Sequence, residues 1–223
     1  MKVSEALGSR ISARAYSDRP VPGGVIRAIL EAAARAPSGG NLQPWHTWVL
    51  AGTELDRFLA KIREAQKTSP TGQEPEYNIY PPSLKDPYRS RRFKCGEDLY
   101  ATLRIGRDDK PARLRQLARN FEFFGAPMGL FFAIDRDMEP GQWADLGMYM
   151  QSIMLVAREH GLHTCSQEAW ARWHRTVREF LEMPEELMLF AGMAIGYPDE
   201  SAPINTLRTD RASLEEAVVF RGV

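Results

Sequence analysis

Residues 37–45 read Pro37-Ser38-Gly39-Gly40-Asn41-Leu42-Gln43-Pro44-Trp45. Two prolines fix this backbone, two glycines let it approach a flat ligand closely, and Ser38, Asn41 and Gln43 offer donors and acceptors. The plainer alternative is an ordinary helix-to-strand loop, where such residues are common. Before it, Val25, Ile26, Ile29, Leu30, Ala33 and Ala34 keep a helical period from Pro22, and Pro37, Gly39 and Gly40 end that pattern. After it, Trp45 to Ala51 alternates like a strand, and Thr53 with Glu54 opens a helix running to Gln66.

Further out, Val3 to Leu7 predicts a short amphipathic helix interrupted at Gly8, and Asp98 to Ile105 and Asp109 to Phe124 predict two more helices, the latter with Pro111 in its first turn. Met128 to Ile134 is a near-continuous apolar run, as a strand covered on both faces requires. Leu146, Met150, Ile153, Met154 and Ala157 make Trp143 to His160 a long buried helix that Gly161 terminates. Leu162 to Cys165 and Leu187 to Ile195 predict strands, Thr176 to Leu181 a helix, and Leu214 to Phe220 an extended tail. Such irregular alternation argues α+β or mixed α/β, with residues 1–223 as one domain.

Lys67 to Tyr88 holds Pro70, Pro75, Pro81, Pro82 and Pro87 among polar residues, so no regular element is expected there. A stretch this long is either disordered or a functional lid, and Tyr77, Tyr80 and Tyr88 favour an ordered one.

With 223 residues, 43% of them hydrophobic, the chain can bury a full core without staples. Lys plus Arg and Asp plus Glu both number 29, so no net field would hold it on nucleic acid or an anionic membrane. Cys95 and Cys165 make no oxidised framework, and no apolar run approaches the roughly 18 residues of a bilayer span. Met1 to Gly8 lacks an apolar signal segment, and a cytoplasmic location is expected.

Phosphate-loop sequences are missing, and Gly192-Met193-Ala194-Ile195-Gly196 lacks the paired glycines of a dinucleotide fingerprint. His160 and His163 straddle Gly161 without a third ligand, so no metal site is expected. Neither cysteine has an activating neighbour in sequence. Arg10-Ile11-Ser12-Ala13-Arg14 is different: an extended backbone would turn two guanidinium groups and a hydroxyl to one side, as a phosphate clamp needs. A solvated basic turn after a helix is the competing reading.

Arg10 to Arg14 followed by Ala36 to Trp45 closely resembles the nitroreductase family of FMN-dependent, NAD(P)H-using oxidoreductases. Phe123-Phe124-Gly125-Ala126-Pro127, Gly161 to Glu168, Ala194 to Asp199 and Leu207 to Glu216 resemble further family landmarks in the family's order, and the wording is similar to the branch that reduces nitrobenzoates. The resemblance implies an α+β homodimer, interlocked, with a mostly antiparallel central sheet wrapped by helices and FMN at the interface. It assigns the FMN phosphate and ribityl chain to Arg10, Ser12 and Arg14, with Arg211 and Arg208 near the other chain end. It brings Pro37, Ser38, Gly39 and Asn41 from the other subunit, Asn120 to the ring edge, and the backbone of Ser166, Gln167, Glu168 and Ala169 to the reactive flavin N5 and O4. No side chain is implied as a nucleophile. Hydride would pass from NADH or NADPH to a small aromatic acceptor in ping-pong fashion. Quinone reduction, dehalogenation, flavin destruction and mere flavin binding are the alternatives on this scaffold. Tyr80, Tyr88 and Arg89, within a lid at 67–92, would hold the acceptor, unless that stretch covers the partner subunit; residues 205–223 form the extended tail.

Overall fold

The computed structural model describes residues 1–223. Four strands, β1 (His46–Ala51), β2 (Met128–Asp135), β3 (His163–Gln167) and β4 (Leu187–Gly196), make one sheet in the order β1-β2-β4-β3, each neighbouring pair antiparallel. The two apolar runs occupy the centre, where both faces are covered, and their alternate residues supply two cores. Met128, Leu130, Phe132 and Ile134 pack with Met193 and Ile195 under α2 (Gly23–Ala33) and α6 (Pro140–Glu159). Phe131, Ala133, Leu189 and Ala194 pack on the other side with Trp170 and Trp173 under α3 (Gly52–Thr68) and α7 (His174–Leu181). The edge of β3 is taken by the N-terminal segment: Ser12 bridges Thr164 in parallel, and the Ala13 N–H donates to the Thr164 carbonyl at 3.1 Å. The sheet is thus mostly antiparallel and wrapped by helices, as expected.

Several boundaries differ from the sequence expectation. The first helix, α1 (Val3–Ser9), runs through Gly8, because Ala6 is buried and the helix packs on α6. The helix expected from Asp98 begins at Tyr88 and forms α4 (Tyr88–Thr102), while Ile105 lies outside it. No residue of α4 is buried, so an apolar period could not reveal its first half; Asp86 Oδ1 instead accepts the Ser90 N–H at 3.2 Å and starts the helix. The helix expected through Phe124 stops as α5 (Lys110–Ala118), and residues 119–125 form a 3-10 turn in which Phe123 and Phe124 take φ of 47° and 56°. That left-handed backbone drives both rings into the core, where Phe123 meets Phe58, Phe131 and Trp170. The strand expected to end at Cys165 continues to Gln167. The tail is not extended throughout: α8 (Leu214–Ala217) is a single turn, with Ser213 Oγ accepting the Glu216 N–H and Glu216 reaching back to the Ser213 N–H, each at 3.3 Å. Residues 69–87 contain no helix or strand, in agreement with their proline content.

Candidate functional site

Pairing with β3 fixes the N-terminal segment as extended backbone. Ile11 and Ala13 turn into the protein and are buried, while Arg10, Ser12 and Arg14 line a cleft of about 410 Å³. The opposite wall comes from the other end of the chain, and buried Asn205 joins the two. Its Oδ1 accepts the Arg14 N–H at 2.8 Å, and its Nδ2 donates to the carbonyls of Ala15 at 2.8 Å and Asp199 at 2.9 Å. Leu207, Arg208, Thr209 and Arg211 are thereby laid along the cleft, and Cys95 of α4 enters from the side.

Four of the eleven lining residues are arginine and none is acidic. Three of these guanidinium groups are steadied by oxygens without net charge. Arg14 Nη1 donates to the Ser12 carbonyl at 3.2 Å, Arg208 Nη1 to the Asn205 carbonyl at 3.0 Å, and Arg211 Nη1 to Thr209 Oγ1 at 2.8 Å. No carboxylate neutralises any of the four, so the cleft is built for an anion with several oxygens. Nearby titrations follow. Burial, reinforced by Arg158, Arg208 and Arg10, lowers the His163 ring to about 4 and keeps it neutral. Burial raises the Cys165 thiol, against the opposing pull of Arg14 and Arg10.

Two residues beyond the Ser12–Thr164 bridge, the strand delivers Ser166, Gln167, Glu168 and Ala169. Gln167 is buried, and its Nε2 donates to the Asn120 carbonyl at 2.6 Å, so the structure joins these two expected residues. Asn120 Nδ2 is itself spent on the Leu117 carbonyl at 2.9 Å. Burial raises the half-buried Glu168 carboxyl above its ordinary range.

Other expected residues lie elsewhere. Pro37, Ser38, Gly39 and Asn41 surround a 3-10 turn against α6, where the Gly39 N–H donates to Asp145 Oδ2 at 3.1 Å; they do not line the arginine cleft of their own chain. Trp45 stacks on Tyr149 at 4.8 Å, a packing contact. Tyr80, Tyr88 and Arg89 are exposed, with Arg89 paired to Asp86 at 2.6 Å. The proline-rich stretch has an anchored first half. Gln73 Nε2 donates to Thr176 Oγ1 at 2.9 Å, Tyr77 Oη donates to the Phe190 carbonyl, and Glu76 meets Arg136 at 2.7 Å and Arg178 at 3.3 Å. Burial alone would raise the Glu76 carboxyl; the Arg136 hydrogen bond and the charges of His174, Arg136 and Arg178 outweigh it. Asn205 and Cys95 escaped the sequence reading. Asn205 offers no local signal, since its partners Arg14 and Ala15 lie 191 and 190 residues away.

Residues 7–197 match the Nitroreductase family. The chain belongs to the nitroreductase family. It is an oxidoreductase, and two curated relatives align with nearly its whole length. This nitroreductase is 36% identical to nitrobenzene nitroreductase of Ectopseudomonas oleovorans over 98% of its own chain and 96% of that protein. It is also 36% identical to 4-nitrobenzoate reductase of Pseudomonas putida, over 97% and 94%. Among solved structures, the FMN and NADPH-dependent nitroreductase NfnB from Sphigopyxis sp. strain HMH superposes with a TM-score of 0.96 at 46% identity, covering 100% of both chains.

Proposed function

We propose that this nitroreductase binds FMN in the arginine cleft and uses NADH or NADPH to reduce nitroaromatic acceptors, including carboxylated ones of the nitrobenzoate type. One observation carries the reading: Arg10, Arg14, Arg208 and Arg211 converge from both chain ends on one cleft without a carboxylate among its walls. The donor set fits the phosphate of FMN. Planar guanidinium forks match its oxygens, and Ser12 adds a neutral donor.

FMN, when bound, supplies hydride exchange at N5 between nicotinamide and nitro group. The chain supplies position. Ser166, Gln167, Glu168 and Ala169 present their backbone at the end of β3, and Asn120 holds Gln167 through its carbonyl. Tyr80 and Tyr88 offer aromatic faces for the acceptor, and Arg89 a cation when an acceptor carboxylate displaces Asp86 from it. Residues 1–223 act as one unit, with 67–92 as acceptor lid and 205–223 as the tail that closes the cleft.

The working form is a homodimer. Pro37, Ser38, Gly39 and Asn41 lie on the outside of their own chain, where a second copy's cofactor can meet them. Leu42, Met148, Leu214, Val218, Val219 and Phe220 are exposed apolar side chains that a second copy can cover. No helix is long and apolar enough to cross a membrane, and the cytoplasm is the proposed compartment.

The test is spectroscopic. Purified protein should show stoichiometric flavin absorbance that NADPH or NADH bleaches without oxygen and that nitrobenzene then restores. A colourless protein that riboflavin 5′-phosphate cannot reconstitute overturns the proposal.

A further inference from the structure

On the face of α4 turned away from the C-terminal segment lies a second groove, of about 690 Å³, between Pro81–Leu84 and the loop carrying Arg107. Arg89, Arg92, Arg107 and Arg113 line it with a single carboxylate, Glu97. That carboxylate is engaged by Arg113, whose fork reaches both oxygens at 2.6 and 3.1 Å, and Arg89 is paired with Asp86 outside the lining. Arg107 lowers the Glu97 carboxyl only from a distance, beyond ion-pair range.

Arg92 and Arg107 are therefore the groove's unspent cations, and each lies over an aromatic ring. Arg92 is 3.9 Å from the Tyr80 ring centre, and Arg107 is 5.2 Å from that of Phe93. Stacking occupies the face of a guanidinium and leaves its in-plane N–H groups free to fork an oxyanion. Tyr80 and Phe93 remain half exposed, at 50% and 52%, so flat apolar surface stands beside the two cations. A dianionic phosphate on the ribose of a planar aromatic base matches both features at once. One carboxylate on one small ring would leave much of such a groove unfilled.

We propose that this groove is the subsite for the adenosine 2′-phosphate of NADPH, held by Arg92 and Arg107, and that it makes the enzyme prefer NADPH to NADH. The inference rests on the reading of the chain as an NAD(P)H-using nitroreductase. It adds the place where the two dinucleotides are told apart.

The experiment titrates purified holoenzyme with 2′,5′-ADP, which carries the discriminating phosphate, and with 5′-AMP, which lacks it. The 2′-phosphate compound should bind at least about tenfold more tightly, and Arg92→Ala or Arg107→Ala should each erase about tenfold of that margin. The NADPH-to-NADH ratio of kcat/KM should fall in parallel, with Arg92→Lys losing less than Arg92→Ala. Arg57→Ala, an exposed substitution on α3, should leave the ratio as it is. Equal binding of the two nucleotides overturns the proposal. So does an unchanged ratio in the Arg92→Ala, Arg107→Ala double variant, or a loss confined to 4-nitrobenzoate. Failure of the activity reading shows itself separately, as no turnover with either nicotinamide, and nucleotide binding then still decides the groove.

Discussion

At the residue scale, His163 and Asn205 show how the cleft is supported from behind. His163 is 8% exposed, and its folded pKa of about 4 lies below the ordinary 6.5. The unfolded chain therefore takes up a proton below pH 6.5 that the fold refuses, so this group's contribution is intact above pH 6.5 and is lost as pH falls toward 4. Thermal denaturation followed from pH 7 to 4 should show His163→Gln losing Tm less steeply than the parent; parallel slopes would remove His163 from the acid response. Asn205 makes three hydrogen bonds, and the two to Arg14 and Ala15 tie the N-terminal segment to the arginine-bearing one. Asn205→Ala strands buried partners and should cost about 1–3 kcal/mol of stability. It should also weaken flavin retention on dilution, although the side chain lies beneath the cleft and not in its lining. A variant with lowered Tm and unchanged flavin affinity would reduce Asn205 to a fold residue. Arg10, Ser12 and Arg14 were legible in the sequence because alternation survives in any extended segment. Asn205 was not, because nothing local records a contact made across the whole chain.

At the element scale, α4 lines the arginine cleft through Cys95 and the second groove through Arg89, Arg92 and Phe93. Arg91 meets Glu216 at 2.8 Å and Lys94 meets Asp210 at 2.8 Å, so one exposed helix holds the segment that carries Arg208 and Arg211. Each pair is solvent-exposed, and its effect is screened by salt. Lys94→Glu should hasten flavin release at low ionic strength, Asp210→Lys added to it should restore retention, and both differences should fade as salt rises. A release rate indifferent to either change would uncouple α4 from the cleft. The sheet offers the opposite case. β2 and β4 were legible because burial on both faces leaves an uninterrupted apolar run, whereas α4 is fixed by charge pairs that leave no such period. The left-handed Phe123 and Phe124 were hidden for a third reason, since aromatic packing and not local preference selects that backbone. Gly192 in β4 has the same origin: a Cβ there would overlap the fully buried Trp170 ring. Gly192→Ala should destabilise by about 1–3 kcal/mol, seen as a lower urea midpoint with an unchanged slope.

At the scale of the whole molecule, the arginine cleft is a cost to the free protein. Four like charges held near one another repel, and only neutral oxygens steady them. An anion that binds the folded form alone relieves this repulsion and adds stability in proportion to RT ln(1 + [L]/Kd), about 2.7 kcal/mol at a hundredfold excess over Kd. Flavin-free protein should therefore melt below the holoenzyme. Inorganic phosphate should recover part of the difference at concentrations where chloride of equal ionic strength recovers less, because only phosphate offers oxygens to several forks at once. The apolar tail adds a second linkage. Leu214, Val218, Val219 and Phe220 face outward in one chain, and if a second copy covers them, Tm must rise with protein concentration. Deleting residues 214–223 should flatten that dependence and halve the mass seen by light scattering, and flavin should dissociate faster because the Arg91–Glu216 pair goes with the tail. Full-length protein that scatters as a monomer, with a Tm independent of concentration, would dissolve the shared-interface reading while leaving the phosphate effect on the cleft as a property of one chain.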